Sequence, residues 1–496
     1  MMLSQLEARV SLADVLGELH AEVRELYLSD TVPWVLGYSG GKDSTATLQL
    51  VWTALAGLPP EQRSKPVYVI STDTLVENPI VAAWVTRSLE KMAAAAREQG
   101  MPIEPRRLTP EVHNTFWVNL IGKGYPAPRP KFRWCTERLK IRPSNAFIND
   151  IVRERGEAIL VLGIRKQESQ ARARAMARHE RRRAQDRLSP NANLPNCLIY
   201  SPVEDWSNDD VWTYLMQVQN PWGYRNKDLL TLYQGASADG ECPLVVDSST
   251  PSCGDSRFGC WVCTLVEKDK SMAAMIQNDQ EKEWMLPLLE LRNELDLKDD
   301  RPLRDFRRMN GSVQLFNGRT IPGPYLQSVR AHWLRRVLEV QQWVRAHGPE
   351  DVRNLELITP GELEEIRRIW VADKLEIEDL VPQIYREATG QEYPGRGFDE
   401  SACFSNEDLA VLAETCGDDR VGYETLRDLL ETTRRHRLMR RRTGVFESVE
   451  KTLQRGLYKD GDEALASLGA LDPEDSTSVL DLVLLDVESN TSTVGP

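Results

Sequence analysis

A short apolar strand, Trp34 to Tyr38, runs straight into Ser39-Gly40-Gly41 and then into a helix from about Asp43 to Ala56. This strand, glycine turn and helix constrain the fold more than any other stretch of the chain. Glycine lets a backbone curl close to an anion, and a helix N-terminus presents unpaired amides to its charge. Such a unit needs a sheet around it, and the following residues supply one. Pro59-Pro60 ends the helix, and the β-branched run VYVIST (Val67 to Thr72) predicts a second strand. Pro79 opens a helix to about Arg97, and Ile103 to Leu108 predicts a third strand. An irregular Gly/Pro-rich passage (Gly122 to Arg133) precedes a helix over Thr136 to Arg155. A continuous apolar strand follows within Glu157 to Ile164, and Leu198 to Val203 predicts the last one. Ser207 is placed to N-cap the helix NDDVWTYLMQV. Strands alternating with longer helices predict an α/β fold, a parallel sheet covered on both faces.

The rest of the chain divides by composition. Residues 1–30 are expected to form an N-terminal amphipathic helix, 31–268 the α/β domain, and 269–459 a charged α-helical domain without strands. Residues 460–496 carry acidic side chains but no Lys or Arg, and predict a flexible acidic tail. Leu188 to Pro195, rich in Pro and Asn, predicts a mobile loop. No run of about 18 uncharged apolar residues is present to span a membrane. The N-terminus has neither a basic region nor a cleavage site, so a cytoplasmic protein with reduced cysteines is expected. With 62 basic and 75 acidic residues the net charge is −13, which argues against a stand-alone nucleic-acid binder. It leaves room for local patches. The segment 165–187 holds nine basic and three acidic residues, among them Arg172, Arg174, Arg178, Arg181, Arg182 and Arg183. These six are candidate DNA contacts if the run is not simply a solvated helix face.

In the glycine turn, Lys42 and the hydroxyls of Ser39 and Ser44 add donors for phosphate oxygens. The spacing is not that of a P-loop kinase or motor. Gly37 to Gly41-Lys42 leaves three intervening residues where four are required, and Lys42 is followed by Asp43 instead of Ser or Thr. The sequence SGGKDS resembles the pyrophosphatase loop of the N-type ATP pyrophosphatases, the PP-loop enzymes. That resemblance implies ATP held by Tyr38, Ser39, Gly40, Gly41, Lys42, Asp43 and Ser44, attack on its α-phosphate, and pyrophosphate as product. Ser39, Lys42 and Asp43 would be the catalytic residues, with Asp43 helping to place Mg²⁺.

Three more blocks fall at strand ends: STDT (71–74), GIRKQESQAR (163–172) and PVEDWSNDDVWTYL (202–215). They resemble the sulfonucleotide-reductase (PAPS-reductase-like) branch, and add Asp73 and Arg165 to the candidate ATP site. In open α/β sheets ligands bind outside the carboxyl ends of strands, so these positions agree with one another. Trp206 and Trp212 are expected to pack in the core. The reductase reaction fits less well. Those enzymes carry a catalytic Cys-Gly close to the C-terminus, and the last cysteine here, Cys416, is 80 residues short of it.

Four of the eight cysteines, Cys242, Cys253, Cys260 and Cys263, fall within 22 residues. Four thiolates hold either zinc or an iron–sulfur cluster. One close pair and two isolated thiols suit a 4Fe–4S cluster wrapped by an irregular loop better than two zinc pairs. Cys197, Cys403 and Cys416 read as ordinary thiols. Cys135, in KFRWCTERLKIRP, stands beside Arg133, Arg138 and Lys140 just before a helix. Cations and a helix start lower a thiol pKa, which would make Cys135 a nucleophile or sulfur carrier. A fourth cluster ligand in place of Cys242, or a structural thiol, are the alternatives.

SGGKDS, FWVNLIGKGYPAPRPKFRWCT and CGDSRFGCWVC, followed by a long helical region, together resemble the DndC family of DNA phosphorothioation sulfurtransferase components. The resemblance implies replacement of a non-bridging oxygen of the DNA backbone by sulfur, with ATP activating the phosphate. It also implies a 4Fe–4S cluster, a cysteine desulfurase as sulfur donor, and further phosphorothioation subunits as partners. Two alternatives use related chemistry: a tRNA-thiolating PP-loop enzyme, and a phosphoadenylyl-sulfate reductase.

Overall fold

A computed structural model describes residues 12–168, 174, 176, 187–236, 259–395, 406–438 and 444–469. Its centre is a six-stranded sheet made of β1 (Trp34–Gly37), β2 (Val67–Thr72), β3 (Ile103–Leu108), β4 (Ala158–Val161), β5 (Ser189–Pro190) and β6 (Cys197–Tyr200). The strand order is β3-β2-β1-β4-β6-β5, and every pairing is parallel except β5 with β6. The expected strands are all present and the parallel α/β class holds. β1 and β4 end at Gly37 and Val161, with one more backbone hydrogen bond beyond each, from Tyr38 to Ile70 (2.8 Å) and from Leu162 to Tyr200 (2.9 Å). β6 ends at Tyr200, short of the expected Val203. The stretch expected as a mobile loop after Leu188 instead supplies the antiparallel edge strand β5. The Asn191 side chain there accepts from the amides of Asn193 (2.9 Å) and Leu194 (3.2 Å), and Leu194 is buried.

Both faces of the sheet are covered. Helices α1 (Leu12–Leu28), α2 (Lys42–Ala56) and α3 (Pro79–Glu98) press Leu26, Val51, Trp52, Val85 and Met92 onto one face. On the other, α4 (Arg142–Arg155) packs Ile148 and Ile151 against Val35 and Ile70. The helix expected from Thr136 opens as a wide π-helical turn, Thr136–Ile141, before α4 begins. Ser207 caps α5 (Asn208–Gln217) in a full capping box with Asp210. α6 (Asn226–Gly235) follows, and Trp206 and Trp212 lie in the core between α2 and these two helices.

After α7 (Lys270–Asn278) and α8 (Leu286–Leu295) the regular structure of the described residues is helical, apart from a hairpin of two-residue strands at Leu315–Phe316 and Arg319–Thr320 that the expectation of a strandless region missed. The long α9 (Gln327–His347) and α10 (Pro360–Arg368) bury Trp333, Leu338 and Ile366 in the core that also holds Phe116, Trp117, Leu120 and Leu139. The helical region thus shares one core with residues 116–139. Trp117 Nε1 donates to the Leu357 carbonyl (2.6 Å), and Trp370 Nε1 to that of Ile121 (3.0 Å). No helix of the described residues is long and apolar enough to cross a membrane.

Candidate functional site

β1 connects to β2 on one side, while β4 pairs with it on the other. This reversal of strand order opens a crevice at the carboxyl ends, where ligands of open α/β sheets bind. The glycine turn leads into it. Tyr38 turns its ring away into the core, where its hydroxyl meets that of Ser88 at 2.8 Å. Gly40 has φ +74°, and a Cβ there would stand 2.5 Å from Val85 Cγ2. A side chain at this position is excluded twice, by backbone conformation and by space. α2 then starts without a side-chain cap, since Gly41 is its N-cap residue. Its first amides face the crevice region, and the Lys42 amide donates weakly to the Tyr233 hydroxyl (3.3 Å). Ser39 and Ser44 join hydroxyls at 3.1 Å, and Ser44 Oγ donates to the Gly41 carbonyl (3.0 Å).

Two cations hold the Asp43 carboxylate: Lys42 Nζ at 2.7 Å and Arg165 Nε at 2.6 Å. Arg165 is 5% exposed and also donates to the Trp206 carbonyl (3.2 Å). It reaches Asp43 because Gly163 brings the end of β4 against the first turn of α2. A Cβ on Gly163 would lie 2.7 Å from the Asp43 carbonyl oxygen. Ser39, Gly41, Lys42, Asp43, Ser44 and Arg165 therefore line one cleft of about 1000 Å³.

The cleft continues past an apolar wall of Ile70, Ile148, Leu160 and Leu162. Beside that wall the hydroxyls of Thr72 and Ser144 meet at 3.0 Å. It ends at Glu77, Lys140 and Gly259. Asp73 does not line it. Its carboxylate is turned to Arg107 Nη2 (2.5 Å) and accepts from the Leu75 amide (2.9 Å). Burial raises the Glu77 pKa, and Lys140, 4.0 Å away, opposes that.

Beyond Gly259 stand the thiols. Cys260 pairs with Glu77 in a β-bridge, its Sγ is 3.4 Å from Thr74 Oγ1, and the Cys263 amide closes a turn onto its carbonyl (3.0 Å). The buried Arg292 of α8 clamps this turn from behind, donating to the carbonyls of Cys263 (2.9 Å) and Glu267 (3.2 Å). Cys260 first, then Glu77, Cys135 and Cys263, raise the pKa of the Lys140 ammonium against the opposing effect of burial. So Cys135, 125 positions before Cys260, shares its surroundings. The expectation of a lowered Cys135 pKa is corrected. Burial pushes this thiol up, the Cys263 thiol adds to that, and the contribution of Lys140 is smaller. Burial likewise pushes the Cys260 thiol up to about 11.

Cys242 and Cys253 lie outside the described residues, as do Arg172, Arg178, Arg181, Arg182 and Arg183; Arg174 is exposed. Among the described residues no group of three or more His, Cys, Asp or Glu side chains is gathered closely enough to hold a metal ion. Glu77, Ser144 and Tyr233 belong to the cleft without having stood out in the sequence. Lys140 stood out only as a cation near Cys135. Each lies on an element whose local pattern says nothing of which cleft it will face.

Residues 33–265 match the model of the phosphoadenosine phosphosulfate reductase domain family, a little under half of the chain. An uncharacterised protein of Methanocaldococcus jannaschii is 27% identical over 245 residues, 49% of this chain and 39% of the relative. The match thus spans about two fifths of that relative's length. A phosphoadenylyl-sulfate reductase of Candida auris is similar at 13% identity and a TM-score of 0.26, covering 43% of this chain and 87% of that one. An FMN adenylyltransferase of Candida glabrata is similar at 11% identity and a TM-score of 0.26, covering 51% and 74%.

Proposed function

We propose that the protein is an ATP-dependent sulfurtransferase that adenylates a backbone phosphate of DNA so that sulfur can replace one of its oxygens. The single observation that carries the reading is the continuity of the cleft. One volume runs from the glycine turn to Glu77, Lys140 and Gly259, and the next residue is Cys260. The anion cradle thus shares its cleft with Lys140, the ammonium on which the Cys260, Cys135 and Cys263 thiols act. The phosphoadenosine phosphosulfate reductase-like domain supports nucleotide use at this cleft. The choice of DNA rests on the likeness of SGGKDS, FWVNLIGKGYPAPRPKFRWCT and CGDSRFGCWVC to the DndC family.

In this reading the amides at the start of α2, with Ser39, Ser44 and Lys42, hold the β- and γ-phosphates of ATP. Asp43, fixed by Arg165, faces the accompanying Mg²⁺. A non-bridging oxygen of the acceptor phosphate attacks the α-phosphorus, the α–β bond breaks, and pyrophosphate leaves. The acceptor oxygen is now part of an AMP leaving group, and a sulfur nucleophile displaces it at the acceptor phosphorus. Lys140 lies where negative charge on sulfur and phosphate would meet. In this reading Cys260 and Cys263 would be two ligands of a cluster, with Cys242 and Cys253 as the others and Cys135 as the alternative fourth. A 4Fe–4S cluster bound there would supply redox or sulfur-relay chemistry. Sulfur would come from a cysteine desulfurase. Sequence choice would belong to partner subunits, with Arg172 to Arg183 adding weak, salt-dependent contacts to DNA.

Purified protein with ATP and DNA should release pyrophosphate, and mass spectrometry of DNA from cells carrying the gene should find phosphorothioate dinucleotides. Sulfur found in tRNA nucleosides and not in DNA would overturn the substrate, and ADP with orthophosphate as products would overturn the reaction. Anaerobically purified protein should contain iron that Cys260→Ser and Cys263→Ser lose. Loss of iron in Cys135→Ser but not in Cys242→Ser would move the fourth ligand to Cys135.

A further inference from the structure

Among the described residues another charged cavity lies in the helical region and takes no part in the reaction above. It holds about 100 Å³ between the segment 305–311, the start of α9, the stretch around Lys374, α12 (Arg420–Leu438) and α13 (Val445–Arg455); α11 is Leu380–Thr389. Seven cationic and four acidic side chains line it, a surplus of three positive charges. Glu378, pairing with Arg427 from outside the lining (3.0 Å), reduces the surplus to two.

The acidic groups are all engaged. Arg307 takes Asp305 at 2.7 Å, Arg420 takes Glu424 at 2.8 Å, Arg427 takes Asp428 at 3.1 Å, and Arg330 holds Glu376 through two nitrogens. Three cations are left over. Arg308 and Arg455 reach only carbonyl oxygens, those of Pro322 (3.3 Å) and Met309 (3.4 Å). Lys374 has no hydrogen-bond or ion-pair partner among the described residues. Burial and the neighbouring Arg330 guanidinium hold its ammonium down to about 8. The placement of Arg455 is built in. Gly311 has φ +87°, and a Cβ there would stand 2.3 Å from Arg455 Cγ, so the turn exists in a form that lets this side chain lie across it.

Arg308, Lys374 and Arg455 are half-buried, and cations crowded together without carboxylates of their own repel one another, which an anion placed between them offsets. A cavity of about 100 Å³ is smaller than one that takes benzene, about 150 Å³, and larger than the roughly 10–15 Å³ that one water needs. It suits a single tetrahedral oxyanion. We propose that Lys374, Arg308 and Arg455 form a binding site for one phosphate-class oxyanion, separate from the nucleotide cleft. The phosphoryl group could be free inorganic phosphate or the terminal phosphate of a nucleic acid strand. In either case the guanidinium and ammonium donors recognise the same three oxygens.

The test is thermal unfolding of the full chain with increasing inorganic phosphate, with a 5′-phosphorylated oligonucleotide, and with its 5′-hydroxyl counterpart. Sodium chloride at matched ionic strength is the control. Wild-type protein should show a saturable rise in Tm of a few degrees with inorganic phosphate, or with the phosphorylated strand alone. Lys374→Met should weaken that response about tenfold, as loss of one charge-assisted donor does, while leaving the Tm shift produced by ATP unchanged. The ATP shift reports the cleft at α2, so a failed proposal for ATP use and a failed oxyanion site give different results. Arg308→Met provides the same comparison if Lys374→Met does not fold. A response to the phosphorylated strand but not to free phosphate assigns the ligand to a nucleic acid end. Equal phosphate responses in wild type and both variants, or none beyond the chloride control, would overturn the site and leave an internal ion-pair network.

Discussion

The cleft at the strand ends and the cavity in the helical region are both built from arginine, lysine and carboxylates, yet they are organised in opposite ways. At the strand ends a few charges converge on a large space: Asp43 is held by Lys42 and Arg165, and about 1000 Å³ lies in front of them. Backbone does much of the work, through Gly40, Gly163 and an uncapped helix start. In the helical region many charges crowd about 100 Å³, most of them neutralise one another, and helix side chains do the work. The first arrangement leaves amides and cations for a large substrate. The second makes a rigid lattice with a small residue of positive charge. Charge density alone therefore says little about function; what matters is how much of it stays unpaired in front of open volume.

The strongest test of this contrast is Asp43→Ala. It should lower pyrophosphate release by at least about 100-fold, the size of effect seen when a preorganised electrostatic group is lost. It should also cost about 3 kcal/mol in stability, because the buried Arg165 guanidinium loses the Asp43 carboxylate. Unfolding in urea and a pyrophosphate assay read the two separately, and full activity would show that this pair is structural like those of the helical region. Arg292→Met comes next. It removes the clamp on the Cys260–Cys263 turn and leaves buried carbonyls without donors, at about 2–3 kcal/mol. Sulfur incorporation should fall while ATP-dependent pyrophosphate release is retained; loss of both together would mean that the turn and the glycine loop are one unit.

A smaller effect follows from Lys374, which Arg330, Glu376, Arg455 and Asp305 act upon. Its pKa of about 8 lies below the ordinary 10.5, so the unfolded chain binds more protons between those values and stability rises with pH across that window. The gain is on the order of 2 kcal/mol, and Lys374→Met should abolish it when urea midpoints are compared at pH 8 and pH 10.5. A slope unchanged in the variant would assign the effect to other groups. The smallest effect is expected where the two regions touch at the surface. Arg87 of α3 pairs with Asp351, both about half exposed, and a double-mutant cycle should find less than about 1 kcal/mol between them. A larger coupling would mean that surface charge, and not the shared core of residues 116–139 with α9 and α10, joins the regions.

Much of this was legible in the chain itself wherever the deciding interactions are local. The strands read from Val67–Thr72 and Ile103–Leu108, the Pro79 helix start and the Ser207 cap depend on neighbours within a few residues, and they stand where the pattern put them. Ser39 to Ser44 and Arg165 were readable for the same reason, since a glycine turn between strand and helix and the end of a parallel strand have fixed places in a sheet. Packing decided the rest. Asp73 was chosen as a carboxylate at a strand end, but β3 sets Arg107 beside it and takes it out of the cleft. The Cys135 pKa was read from adjacent cations, while burial by distant chain overrides them. Glu77, Lys140 and Cys260 meet from three separate segments, and Arg292 reaches Cys263 from a helix beyond them. Sequence determines which elements form, because hydrogen bonding and side-chain periodicity act over a few residues. Which side chains face each other across more than a hundred positions is decided when hydrophobic surfaces close against one another, and that closure exists only in the folded chain.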